Sequence, residues 1–236
     1  MIDPLLKPPE ALMRAIAADL KPVKPSPRPL RLALLTVPHA LVVSSLVLLA
    51  IGIRGDSSVL GPLLTWGASA VQFALGIMLV WIAAHESTPA ARLPKGTVYS
   101  VAVATLLVVI ATTVSTFSIS PLGSTLRVAG VVRVLPAWVM DLACGIGSTV
   151  MGGILVLLFS WLFRNSLAIR PTVAGALYGA GAGVAINAGW RIACPFPTLR
   201  HALGAHGTAI VATVLLGALI GRFLAARSFH SADRSS

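Results

Sequence analysis

Cys144 and Cys194, the chain's two cysteines, are its best candidates for chemistry. A thiol pair can form a disulfide, hold a soft metal ion or be oxidised further. Cys144 lies 20 residues before Arg164, and Cys194 lies 24 residues after Arg170. The short stretch between those arginines predicts a turn joining two antiparallel helices. At 1.5 Å per residue the cysteines then climb about 30 and about 36 Å from that turn, and so reach one level at one mouth of a bundle. Spacing alone leaves two readings open, a functional pair or two inert thiols packed as small hydrophobes. His201, His206 and Asp141 are assigned to the same side. Cys144, Cys194, His201 and His206 are therefore candidate ligands for a soft metal. Against that, their spacing matches no zinc pattern, and histidines five apart fit one α-helical face poorly. The competing reading is a pair of solvated loop histidines. His39 and His85 are expected in local hydrogen bonds or at an interface.

Other chemistry has little to stand on. There is no HExxH, no P-loop, no GxSxG and no C-x-x-C. No Asp, Glu, Lys or Arg falls at the middle of a predicted span, where proton relays and ion-coupled transporters need one. The mid-span polar residues are Gln72, Asn187 and several Ser and Thr, which tie helices together. The chain therefore reads as a non-enzyme with no cofactor. A small multi-pass transporter or channel is the alternative, and it would need a polar pathway that these residues barely supply.

The elements that must position these side chains are membrane helices. The 236 residues are 56% hydrophobic and 11% charged, with a mean hydropathy of +0.90. Six apolar runs stand out: Leu30–Ile53, Leu60–Ala84, Thr97–Ile119, Leu142–Phe163, Pro171–Ala193 and His206–Ala226. Each has the roughly 20 residues that a helical crossing needs, and helices satisfy their own backbone groups in lipid. The expected fold is an all-α membrane protein, a six-transmembrane-helix bundle over residues 30–227. The first run is too long for a cleaved signal peptide, and no small-residue cleavage site precedes Arg54. With the N-terminus in the cytosol, the inner segments hold 13 of the 18 Lys and Arg; the outer ones hold Arg54, Arg127, Arg133, Arg191 and Arg200. The positive-inside rule then favours N-in, C-in. It also accounts for the net charge of +11 without direct nucleic-acid binding, for which no basic patch interleaved with aromatics exists.

Residues 1–29 form a short cytosolic arm. Glu10–Lys21 predicts a helix, opened after Pro8-Pro9 and closed by Lys21-Pro22. Leu12, Ile16 and Leu20, with Met13 beside them, make one apolar stripe. So short a helix is marginal in water, and the stripe wants a partner surface. Pro22–Pro29 reads as a semi-rigid spacer. In the outer connector Ser120–Asp141, the stretch Leu126–Val139 is expected to lie along the interface as an amphipathic segment, with a re-entrant segment as the alternative. Residues 228–236 are read as a disordered tail. Gly175, Gly179 and Gly183 pave one face of the fifth run, which predicts close packing inside the bundle, with a dimer contact as the lesser reading.

Several of these pieces also carry a family likeness. Leu12-Met13-Arg14-Ala15-Ile16-Ala17-Ala18-Asp19-Leu20-Lys21-Pro22-Val23 is similar to the N-terminal signature L-(I/M)-x-x-(L/I)-x-x-D-x-x-P-V of NrsF-like membrane anti-sigma factors. Gly52-Ile53-Arg54-Gly55-Asp56 resembles that family's G-x-R-x-D after the first span. Arg170-Pro171-Thr172 with Ala174-Gly175 resembles its R-P-T-x-A-G segment. Cys144 and Cys194 stand where the family has its cysteines. The similarity covers nearly the whole chain. It implies a multi-pass protein of the bacterial inner membrane whose arm holds a cytosolic extracytoplasmic-function (ECF) sigma factor. It also implies a cysteine-dependent response to oxidative or metal stress. On that reading Leu12, Met13, Ile16 and Leu20 enter a groove on the sigma factor, Asp19 with Lys21 sets register at its rim, and Cys144 and Cys194 sense the stimulus. The partners are the sigma factor and the lipid bilayer.

Overall fold

The computed structural model describes residues 9–19, 28–88, 92–119, 125–128, 131–134, 136–163, 170–194 and 198–233. Its order is α1 (Glu10–Asp19), α2 (Pro29–Ile51), α3 (Ser57–Glu86), α4 (Lys95–Ile119), β1 (Thr125–Val128), β2 (Val131–Val134), α5 (Ala137–Leu162), α6 (Pro171–Ala193) and α7 (residues 199–233). Five of the six long helices are long and apolar enough to cross a membrane: Pro29–Ile51, Ser57–Glu86, Lys95–Thr116, Trp138–Leu162 and Leu199–Ala226. The sixth, α6, has the length, but its five glycines with Asn187 and Arg191 lower its hydropathy.

Local sequence explains most helix ends. Proline opens α2 and α6 at Pro29 and Pro171, where its missing N–H is not needed. α2 stops at Gly52, whose φ of 86° suits glycine. α3 turns sharply at Gly61, with φ 69°, ahead of Pro62. α6 stops at Cys194 because the next residue is Pro195, which pushes its neighbour to an extended backbone (φ −70°, ψ 117°).

α6 is the axis of the bundle. It packs most extensively on α7 and α3, and also on α5 and α2. Its glycines permit this. A Cβ on Gly181 would come within 2.6 Å of the Gly76 carbonyl oxygen on α3. A Cβ on Gly175 or Gly179 would run into the backbone at Gly217 and Thr213 on α7. The face Gly175–Gly179–Gly183 is therefore used for packing inside the bundle. Phe159, Leu155, Ile82 and Ile186 fill the core around it. Polar side chains bind the neighbours together, as Asn187 Nδ2 donates to Gln72 Oε1 (2.7 Å) and Gln72 Nε2 to Thr112 Oγ1 (2.5 Å). His39 holds the Leu35 carbonyl at 2.9 Å, and His85 meets Trp81 edge-on.

Four expectations are corrected. The connector Leu126–Val139 is not one continuous segment, although the fold remains a helical bundle. It contains an antiparallel β1–β2 hairpin with Thr125 opposite Val134 and Val128 opposite Val131, and its last residues begin α5. The β-branched runs either side of Ala129-Gly130 carry that signal. The fourth long helix starts at Ala137 rather than Leu142, and the last at Leu199 rather than His206. At the far end, α7 stays helical to Asp233, past the expected tail boundary at Arg227.

Candidate functional site

One end of the bundle gathers the start of α5, the end of α6 and the start of α7. On α5, Asp141, Cys144 and Ser148 follow at i, i+3 and i+7 and share a face. Cys194 is the residue that closes α6, its N–H donating to the Trp190 carbonyl at 2.6 Å. α7 begins with a cap, where Thr198 Oγ1 accepts from the N–H of His201 at 3.2 Å. Ala202–Gly207 then forms a π-type turn.

That turn overturns the objection to the histidines. In a π-turn the repeat is i to i+5 rather than i to i+4, so His201 and His206 come to the same side. Their ring centres are 5.3 Å apart and the rings are edge to face. Neither is a solvated loop residue; both are buried.

The geometry is compact. Cys144 Sγ and Cys194 Sγ are 3.9 Å apart, as free thiols. Cys194 Sγ lies 3.3 Å from His201 Nε2, and His201 Nδ1 lies 2.6 Å from Asp141 Oδ1. His206 Nδ1 meets Ser148 Oγ at 3.3 Å. One potential ligand atom from each of Cys144, Cys194, His201 and His206 falls within 4.8 Å of all the others. Trp190 stands against His206, ring centres 5.8 Å apart, and its indole fills the space beside Gly147. A thiol pair in such a setting can be oxidised jointly, or can join the imidazoles around one ion.

All the candidates expected on one side of the bundle meet here. Sequence reasoning missed Ser148, although its place one turn from Cys144 could have found it. It quoted Arg54 and Asp56 as a motif but gave them, and Arg191, no place beside this cluster. Arg54 forms a two-pronged ion pair with Asp56, Nε to Oδ1 at 2.5 Å and Nη2 to Oδ2 at 2.7 Å, both residues buried. Arg191 clamps α3 and α4, donating to the Leu64 carbonyl (3.1 Å), the Thr112 carbonyl (3.0 Å) and Thr116 Oγ1 (2.9 Å).

The other candidate site is α1. Leu12, Met13 and Ile16 are 50%, 53% and 48% exposed, and every residue from Pro9 to Ala18 is exposed. Asp19 ends the helix; Leu20 and Lys21 lie outside the described residues.

A family model described as "Negative regulator of sigma F" (NrsF) matches residues 16–226. The chain belongs to the NrsF family. The match runs from Ile16 in α1 through α7, so it takes in the cysteine cluster and the Arg54–Asp56 corner together. Membership makes this NrsF protein a negative regulator of a sigma factor. No curated protein and no solved structure matches the chain.

Proposed function

We propose that this NrsF protein holds an ECF sigma factor at the bacterial inner membrane through α1 and releases it when Cys144 and Cys194 respond to oxidative or metal stress. In this reading the bundle crosses the membrane six times with both termini in the cytosol. The enclosed α6 is the least apolar crossing, shielded from lipid by its neighbours. The cysteine end then faces the periplasm, where thiols can be oxidised.

One observation carries the reading. α2 joins the two candidate sites. Its N-terminal end continues from the arm, and beyond its C-terminal end the N–H of Arg54 donates to the carbonyl of Ile192 at 2.9 Å. Ile192 is two residues from Cys194. The arm end and the cysteine end of α2 are about 34 Å apart by helical rise, so a shift at Cys194 has a hydrogen-bonded route to the helix that bears the arm. Under hydrogen peroxide, the two thiols would give up two electrons and two protons to form a disulfide, the peroxide leaving as two waters. Under metal stress they would ligate the ion. Either event stabilises one packing of α5, α6 and α7 over another, as release of a partner requires.

α1 suits helix-in-groove docking. Its stripe Leu12–Met13–Ile16 is solvent-exposed, and a helix of 10 residues gains order from a partner. The test is co-purification of the sigma factor with the full chain. Ile16→Glu with Leu20→Glu places two charges in the stripe and should abolish capture while the bundle stays folded. Undiminished capture would remove α1 as the binding element.

A further inference from the structure

We propose that Cys144, Cys194, His201 and His206 form a four-coordinate site for a divalent thiophilic cation of the zinc type. The inference names the ligand of the sensing site and rests on that reading only for the consequence of binding.

Distances favour chelation over sulfur–sulfur bonding. Tetrahedral coordination with metal–sulfur bonds of about 2.3 Å puts two sulfurs about 3.8 Å apart, and a sulfur and an imidazole nitrogen about 3.5 Å apart. The thiols stand 3.9 Å apart, Cys194 Sγ is 3.3 Å from His201 Nε2, and the four ligand atoms all lie within 4.8 Å of one another, so binding draws the set in by at most about 1 Å. A disulfide at about 2.05 Å would require them to close by nearly 2 Å.

The surroundings match a metal site beyond its ligands. Asp141 Oδ1 sits 2.6 Å from His201 Nδ1. A carboxylate there keeps the proton on Nδ1 and turns the Nε2 lone pair toward the thiols, the arrangement that orients metal-bound histidines. Charge selects the ion. Two thiolates and two neutral imidazoles with a dication sum to zero, which a buried site tolerates best. Loading therefore displaces the two thiol protons. Sulfur and nitrogen donors exclude magnesium and calcium, which take oxygen. A cavity of about 60 Å³, lined by Cys194, His206, Asn187 and Arg191, adjoins the cluster and gives an ion room to arrive.

The test uses reduced full-length protein in detergent, stripped with a chelator and titrated with cobalt(II). The expected result is one cobalt per chain, with thiolate-to-cobalt charge-transfer absorption and tetrahedral d–d bands that zinc bleaches. Asp141→Asn should keep the bands and weaken zinc binding about 10- to 100-fold. His201→Ala with His206→Ala should lose the tetrahedral bands. Because that variant empties two buried positions, His206→Cys provides a second probe, expected to bind with stronger charge-transfer absorption. Absent cobalt–thiolate bands overturn the site, and so do bands unchanged in the double histidine variant. Sigma capture, followed in the same samples, separates the two readings. Metal binding without release upholds the site and removes the metal-sensing role, whereas release by peroxide in a protein that binds no metal overturns the site alone.

Discussion

The backbone of Arg54 is hydrogen-bonded to that of Ile192, N to O at 2.9 Å, while its side chain grips Asp56. This corner fixes the end of α2 against the end of α6. The guanidinium also reaches the Arg191 carbonyl at 3.4 Å. The G-x-R-x-D motif is thus a structural joint between the helix that leads to the arm and the helix that ends in Cys194.

Asp56→Ala leaves a buried guanidinium without its carboxylate. Breaking one side of a buried pair costs about 3–5 kcal/mol. The expected outcome is a large fall in the thermal midpoint of the detergent-solubilised protein. Arg54→Met with Asp56→Leu removes both charges and should recover most of the loss.

Gly179→Leu drives a side chain into the α7 backbone at Thr213. Overpacking costs about 1–3 kcal/mol even where side chains can yield, and here backbone must move. We expect aggregation on solubilisation, read by size-exclusion chromatography. Gly204→Ala is the control: nothing lies within 4 Å of its added carbon, so it should be neutral or slightly stabilising.

Gln72→Leu removes the link between Asn187 and Thr112. Hydrogen bonds between membrane helices average about 0.6 kcal/mol and reach about 1.7. The stability loss should be of that size. Amide exchange should rise along α4, which the bundle covers little.

Thr198→Ala deletes the cap that starts α7 one turn before the cluster. A lost cap costs about 1 kcal/mol. If local opening of this turn exposes Cys194, its maleimide labelling should speed up about 5-fold. A cysteine exposed by global unfolding alone would label at a rate that tracks overall stability instead.

Much of this was legible in the chain. Pro171–Ala193 is a helix with the bounds its sequence implies, because a proline at the start and an X-Pro at the end are local signals. The common level of Cys144 and Cys194 follows from residue counts and helical rise. The Gly175–Gly179–Gly183 face announces close packing but not its partner. His206 was the hardest residue to place. Its five-residue spacing from His201 argues against a shared face in an α-helix, and only the π-turn reverses that.

The sequence by itself determined the long apolar helices, the exposed stripe of α1 and the convergence of two thiols at one level, since hydropathy, periodicity and rise per residue are properties of short stretches. The tertiary structure decided which polar groups meet. The pairing of Asp141 with His201, of Arg54 with Ile192 and of Gly179 with Thr213 joins residues 34 to 138 positions apart. Contacts at such separations depend on how the helices pack, which no local pattern encodes.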